Sequence, residues 1–222
     1  MIYEYILLFG AMILVAWSQN KVRGKYEQYS RIAVNAHYTG EDVARMILKR
    51  NGISDVQVEM GQGFLSDHYD PKAKIVRLSP DNFRTNSIAA VSIAAHEVGH
   101  AIQHAENYGA IALRNAILPA AIISGHLAWA VIMIGFFTFP SIFYLGIAML
   151  GVIALFQTVT LPVEFNASNR ALELLSEMNI INSDERSYAK DMLSAAAFTY
   201  VAALIATLAQ IMRLLLIRDR RR

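Results

Sequence analysis

The sequence predicts a mainly α-helical integral membrane protein, with about four transmembrane helices and a small α+β unit. Three observations lead there. Hydrophobic residues make up 55% of the 222 and charged residues only 17%, a balance unusual for a water-soluble globule. The apolar residues are gathered into runs close to the thickness of a bilayer. Between these runs lie two polar stretches with strand and helix-capping signals of their own.

The first run, residues 2–17 ("IYEYILLFGAMILVAW"), is broken only by Glu4 and is followed by Lys21, Arg23 and Lys25. A cleavable signal would carry its positive charges before the apolar core, so this segment reads as a retained signal-anchor span. Residues 18–115 form the first polar stretch. In it, "TGEDVARMILKRNG" has Thr39 as N-cap, Asp42 three residues on and Asn51-Gly52 as a stop, which predicts a helix. "VQVEM" (56–60), "FLSDHY" (64–69) and "KIVRLS" (74–79) predict three short strands, the last two joined as a hairpin by "DPKA". Asn86 or Ser87 can cap a long helix that follows, "SIAAVSIAAHEVGHAIQHAEN".

Residues 116–137 and 142–161 are two further spans, and the uncharged link "TFPS" makes them a tight helical hairpin. Residues 162–194 are a second polar, helical region, which Pro162 can start. Residues 195–217 form the last run, with Gln210 and Arg213 near one end, where a long side chain can snorkel. The hairpin puts both polar stretches on one membrane face. Lys21, Arg23, Lys25, Arg31, Arg114 and Arg170 lie near span ends on that face, which favours the cytoplasm for it. The basic tail Arg218–Arg222 opposes this: either the charge rule is broken there or the last run does not cross fully.

Composition also excludes. With no cysteine, disulfides, thiolate metal sites and cysteine nucleophiles are ruled out, and any metal must be held by nitrogen and oxygen. Twenty basic residues against eighteen acidic ones give a formal net charge of +2, which offers no case for a nucleic-acid partner.

The chemistry is concentrated in "AAHEVGHAIQHAEN". His96, Glu97 and His100 form H-E-x-x-H. On a helix the two histidines are about one turn apart and can meet one metal ion. Glu97 lies about 100° round the helix and can reach a water on that metal instead. A zinc ion lowers the pKa of such a water from near 16 to about 7, and the carboxylate takes its proton. This is the chemistry of metal-assisted amide hydrolysis. The competing interpretation is a pair of surface histidines on an amphipathic helix, but Ile93, Ala94, Ala95, Val98, Gly99 and Ala101 on the flanks suit a buried helix.

A catalytic zinc needs a third protein ligand and an open fourth position. His104 lies about 12 Å along an unbroken helix from His96 and cannot share an ion with both histidines. A glycine-broken H-E-x-x-H-x-x-G-x-x-H is also absent, because Gln103 and Glu106 occupy its glycine and last-histidine places. Glu164, in "TLPVEFNASNRALELL", sits where a span returns to the same face. An acidic residue there is costly without a partner, and a zinc ion would supply one.

The set "LSDHYDPKAKIVRLSPDNF", "SIAAVSIAAHEVGHAIQHAE" and "LPVEFNASNRAL", in that order and between such spans, resembles the YugP-type family of bacterial membrane zinc metallopeptidases. More distantly it is similar to HtpX and the CAAX prenyl proteases, gluzincins with H-E-x-x-H and a later glutamate. The resemblance implies a zincin-like catalytic unit with one Zn2+ per chain, His96, His100 and Glu164 as ligands and Glu97 as general base. Related gluzincins often carry an aspartate four residues after the ligand glutamate. Here that place is Ser168, which can hydrogen-bond a ligand histidine but lacks the charge that raises imidazole basicity. Asn166 or Asn169 would then take over that role, and His104 is a further candidate to support the ligands or simply lie at the surface.

His68 and Tyr69 precede the active-site helix, where an edge strand can pair with an extended substrate. They are candidates to donate to a developing oxyanion, or else they only shape the turn. Arg170 can pair with a carboxylate on the active-site helix or face water. The expectation is therefore a multi-pass cell-membrane zinc metalloendopeptidase acting on peptides or membrane proteins that reach the bilayer face. A noncatalytic metal-binding scaffold or sensor using the same ligands is the alternative.

Overall fold

The computed structural model of the protein describes residues 2–219, so Arg220, Arg221 and Arg222 of the basic tail lie outside the described residues. The elements in chain order are α1 (Ile2–Tyr29), α2 (Gly40–Arg50), β1 (Gln57–Met60), β2 (His68–Asp70), β3 (Ile75–Leu78), α3 (Pro80–Arg84), α4 (Ile88–Ala105), α5 (Gly109–Phe137), α6 (Pro140–Glu177) and α7 (Ser183–Asp219). They divide into two compact units. One gathers the chain through Gln19, Gly109–Pro162 and the residues from Phe198; the other gathers Asn20–Tyr108 and Val163–Ala197.

The first unit is helical and apolar. Helices α1, α5, α6 and α7 are each long and apolar enough to cross a membrane, with mean hydropathies of 1.3, 2.0, 2.1 and 2.0 in their most apolar windows. At most 22% of any such window is buried within the protein. Side chains such as Phe9, Ile13, Ile123, Met133, Leu145 and Leu208 are therefore left exposed. So much exposed apolar surface is stable only in a hydrocarbon solvent, and the fold is that of a mainly α membrane protein.

The turn between α5 and α6 is tight, as "TFPS" suggests, and glycine permits it. A Cβ on Gly135 would lie 2.0 Å from the Phe143 backbone nitrogen, and one on Gly146 would lie 2.5 Å from a side-chain carbon of Ile132. Phe143 and Ile132 fill the centre of this unit with Ala128, Leu150 and Leu214.

The second unit is the α+β unit. Helix α2 forms where its caps predict. Thr39 and Asp42 make a reciprocal capping box, Asn51 closes the far end, and Gly52 follows in the left-handed region at φ +67°. Its Val43, Ala44, Ile47 and Leu48 are buried. They pack in one core with Val76 and Leu78 of β3, Ile88, Val91 and Val98 of α4, and Ala171 and Leu175 of α6. The sheet order is β1-β3-β2, with β1 parallel and β2 antiparallel to β3. The hairpin turn is made by Asp70, whose side chain accepts from the backbone of Lys72 and Ala73. Those two bonds, the larger from Ala73, hold the Asp70 carboxyl below the usual carboxylate range.

The strand expected over 64–69 is shorter, His68–Asp70. Gly63 and Leu65 both take positive φ, +96° and +51°, and the Ser66 hydroxyl donates to the Gly63 carbonyl. A turn thus replaces the alternation there. Asp67 then pins the strand entry by accepting from the Ser79 backbone and hydroxyl and from the Asn82 amide.

A second difference concerns Pro162. Instead of starting a helix it lies inside α6, which continues unbroken from Pro140 to Glu177. Proline there forfeits one helical hydrogen bond, whereas ending the helix would leave several backbone groups without helical partners. Residues 142–161 and the start of 162–194 consequently belong to one continuous helix.

Candidate metal centre

Helix α4 is built for close packing. Ser87, rather than Asn86, caps it by accepting from the Ala90 backbone, and Ala89, Ala90, Ala94 and Ala95 are fully buried. The absence of bulk lets α6 approach α4 through Gly99. A Cβ on Gly99 would stand 2.9 Å from the Ala167 carbonyl oxygen and 3.2 Å from its Cα. That approach brings Glu164 of α6 to the histidines of α4.

The result is a converging donor set. A carboxylate oxygen of Glu164 lies 3.4 Å from His96 Nε2 and 3.7 Å from His100 Nε2. The donor atoms of the three residues all fall within 4.8 Å of one another, and the two imidazoles stand edge to face with centroids 4.8 Å apart. The side chains are largely buried, at 15%, 12% and 5% exposure for His96, His100 and Glu164. Burial works against a charged His100, but the neighbouring carboxylates of Glu164 and Glu97 outweigh it and raise its pKa. Two imidazole nitrogens and one carboxylate oxygen, with no sulfur, are a donor set that fits zinc.

Behind the histidines stand further polar groups. Ser168 Oγ lies 3.1 Å from His96 Nδ1. Gln103 is completely buried, and its Oε1 lies 3.0 Å from His100 Nδ1. The Gln103 amide donates to the Val163 carbonyl at 2.8 Å and to Asn166 Oδ1 at 2.9 Å. Arg170 donates to the same Asn166 oxygen and to Glu106, the C-cap residue of α4. Gln103 is the residue that sequence reasoning missed. Its place three residues after His100, on the same helix face, was the available signal.

The other candidates are placed elsewhere. The His104 Nδ1 meets the Tyr69 hydroxyl at 2.8 Å rather than either histidine, and both residues line a cavity with Asp55, Lys74 and Ala101. His68 is exposed on β2 with its Nδ1 against the Ser66 carbonyl, and Asn169 is exposed on α6. Glu97 is half-buried, one position along α4 from His96.

Close packing at Gly99 has a measurable consequence. Gly99→Ala should force α4 and α6 apart by a few tenths of an ångström, costing about 1–3 kcal/mol of stability by overpacking. Zinc affinity, measured by chelator competition, should fall about tenfold, because the change moves Glu164 relative to both histidines. Unchanged affinity would show that the approach of the two helices does not set the donor geometry.

The protein is thus a helical membrane protein with a buried His/His/Glu group that could hold a metal ion. The chain belongs to the family described as "Putative neutral zinc metallopeptidase", which matches residues 4–219. It is also 41% identical over 212 residues to "Putative membrane protease YugP" of Bacillus subtilis (strain 168), covering 95% of this chain and 94% of that protein. No solved structure matches the chain. Family membership makes this a zinc peptidase of the membrane, with peptides as its substrate class.

Proposed function

We propose that the protein is a multi-pass membrane zinc endopeptidase of gluzincin type, with His96, His100 and Glu164 as ligands and Glu97 as general base. The observation that carries this is the convergence of a carboxylate from α6 on the two histidines of an H-E-x-x-H helix. Zinc held there supplies Lewis acidity, acidifying water and polarising the scissile carbonyl. The chain's own groups do the rest. His96 and His100 would hold the ion, and Glu164 would bring the negative charge that a buried cation requires. Glu97 takes a proton from the attacking water and delivers it to the departing amine as the C–N bond breaks. Strand β2 is an edge of the sheet, so an extended peptide can add to it beside His68 and Tyr69.

Detergent-purified protein should cleave an unstructured substrate such as casein, lose that activity to a zinc chelator and regain it with added zinc. Cleavage indifferent to the chelator would remove the metallopeptidase reading.

The four apolar helices support four crossings, and the basic residues that follow the first support a cytoplasmic site. The natural lack of cysteine makes this simple to test. A single Lys72→Cys on the exposed hairpin should stay unlabelled by an impermeant thiol reagent in intact cells and react after lysis. Labelling of intact cells would put the site outside.

A further inference from the structure

The hydrogen bonds that run from Glu106 to His100 have a forced direction. Arg170 has only donors, so the Asn166 atom it meets must be the oxygen. That same oxygen also faces Gln103, so the Gln103 atom turned to it must be the amide nitrogen. The Val163 carbonyl, which can only accept, imposes the same orientation on Gln103 from a second side. The remaining Gln103 atom is then Oε1, an acceptor, and it points at His100 Nδ1. His100 Nδ1 must therefore carry a proton, so in the neutral imidazole Nε2, on the side of Glu164, is the nitrogen with the free lone pair.

We infer that Gln103, oriented by Asn166 and Arg170, is a positioning residue that holds His100 in the tautomer able to bind zinc. His96 has no equivalent device, because the Ser168 hydroxyl against its Nδ1 can rotate to donate or accept. The two ligands are thus supported differently: one by a hydroxyl that adapts, the other by an amide locked at both ends. Burial reinforces the lock, since Gln103 is completely enclosed and water cannot replace a partner it loses. Arg170 and Glu106, paired at 2.7 Å, close the outer end and tie α6 to the C-terminus of α4. This inference deepens the zinc-site reading and rests on it.

The arrangement makes unlike demands on its two amides, and the test uses that. Asn166 is used through one oxygen that accepts twice, so Asn166→Asp retains the needed chemistry and Asn166→Leu does not. Gln103 is used as donor and acceptor together, and Gln103→Leu removes both, including the acceptor that faces His100 Nδ1. Zinc affinity of full-length protein in detergent, measured by chelator competition, should fall at least about tenfold in Gln103→Leu and in Asn166→Leu. In Asn166→Asp it should stay within about threefold of wild type, since an acceptor is still offered to both donors. The Asn166 pair keeps the test decisive if the Gln103 variant folds poorly, and the melting temperature of each protein monitors that.

If Gln103→Leu binds zinc like wild type, or if Asn166→Asp falls as far as Asn166→Leu, the tautomer lock is overturned while the metal site stands. Wild-type protein that takes up no zinc would overturn the metal-site reading, and this inference with it.

Discussion

Glu97→Gln should lower cleavage of casein by about 10²–10⁴-fold while leaving zinc content near that of wild type. The factor is the usual contribution of a positioned general base. Glutamine keeps the size and the hydrogen-bonding reach of the side chain but cannot take a proton at neutral pH. Glu97 is not one of the three converging donors, so its loss removes the base without removing a ligand. The paired readout separates roles. A variant that lost zinc together with activity would make Glu97 a ligand or a structural residue, and one that cleaved like wild type would show that another group moves the proton.

Glu164→Gln should act in the opposite order, on the metal first. Glu164 is buried and sits against both Nε2 atoms, so its carboxylate is the negative charge that a buried divalent ion would require. An amide oxygen is a weak, uncharged substitute. Zinc affinity should fall at least about 100-fold, since loss of groups that merely orient ligands already costs 10–100-fold. A loss of that size would remove roughly 2.7 kcal/mol of zinc-dependent stabilisation at zinc concentrations that load wild type, so the zinc-induced rise in melting temperature should shrink or vanish. An undiminished rise in the variant would mean that the ion is held elsewhere.

Much of this site could be read directly from residues. The H-E-x-x-H spacing is a helical geometry, and the alanine-rich flanks that identify α4 are the residues that let it pack closely. Glu164 stood out because a carboxylate at the end of an apolar run needs a partner. The capping box at Thr39 and Asp42 was equally plain, since capping is local chemistry. Other features depend on what a segment meets in three dimensions. Pro162 reads as a helix start because that is its commonest helical place, whereas α6 continues through it. The start of β2 was overestimated because positive φ at Gly63 and Leu65 leaves no mark in hydrophobic alternation. Arg170 could have faced water or a carboxylate, and only the approach of α6 to α4 joins it to Glu106. Gln103 passed unnoticed for the same reason: its importance lies in partners contributed by α6.

The most direct test of the central claim is zinc-edge X-ray absorption on the wild-type protein, loaded in detergent and compared with His96→Ala. A single zinc ion ligated by two imidazoles and a carboxylate oxygen, with one imidazole lost in the variant, is the expected result. A wild-type spectrum that lacks the two imidazoles, or one unchanged by His96→Ala, would contradict a zinc centre formed by His96, His100 and Glu164.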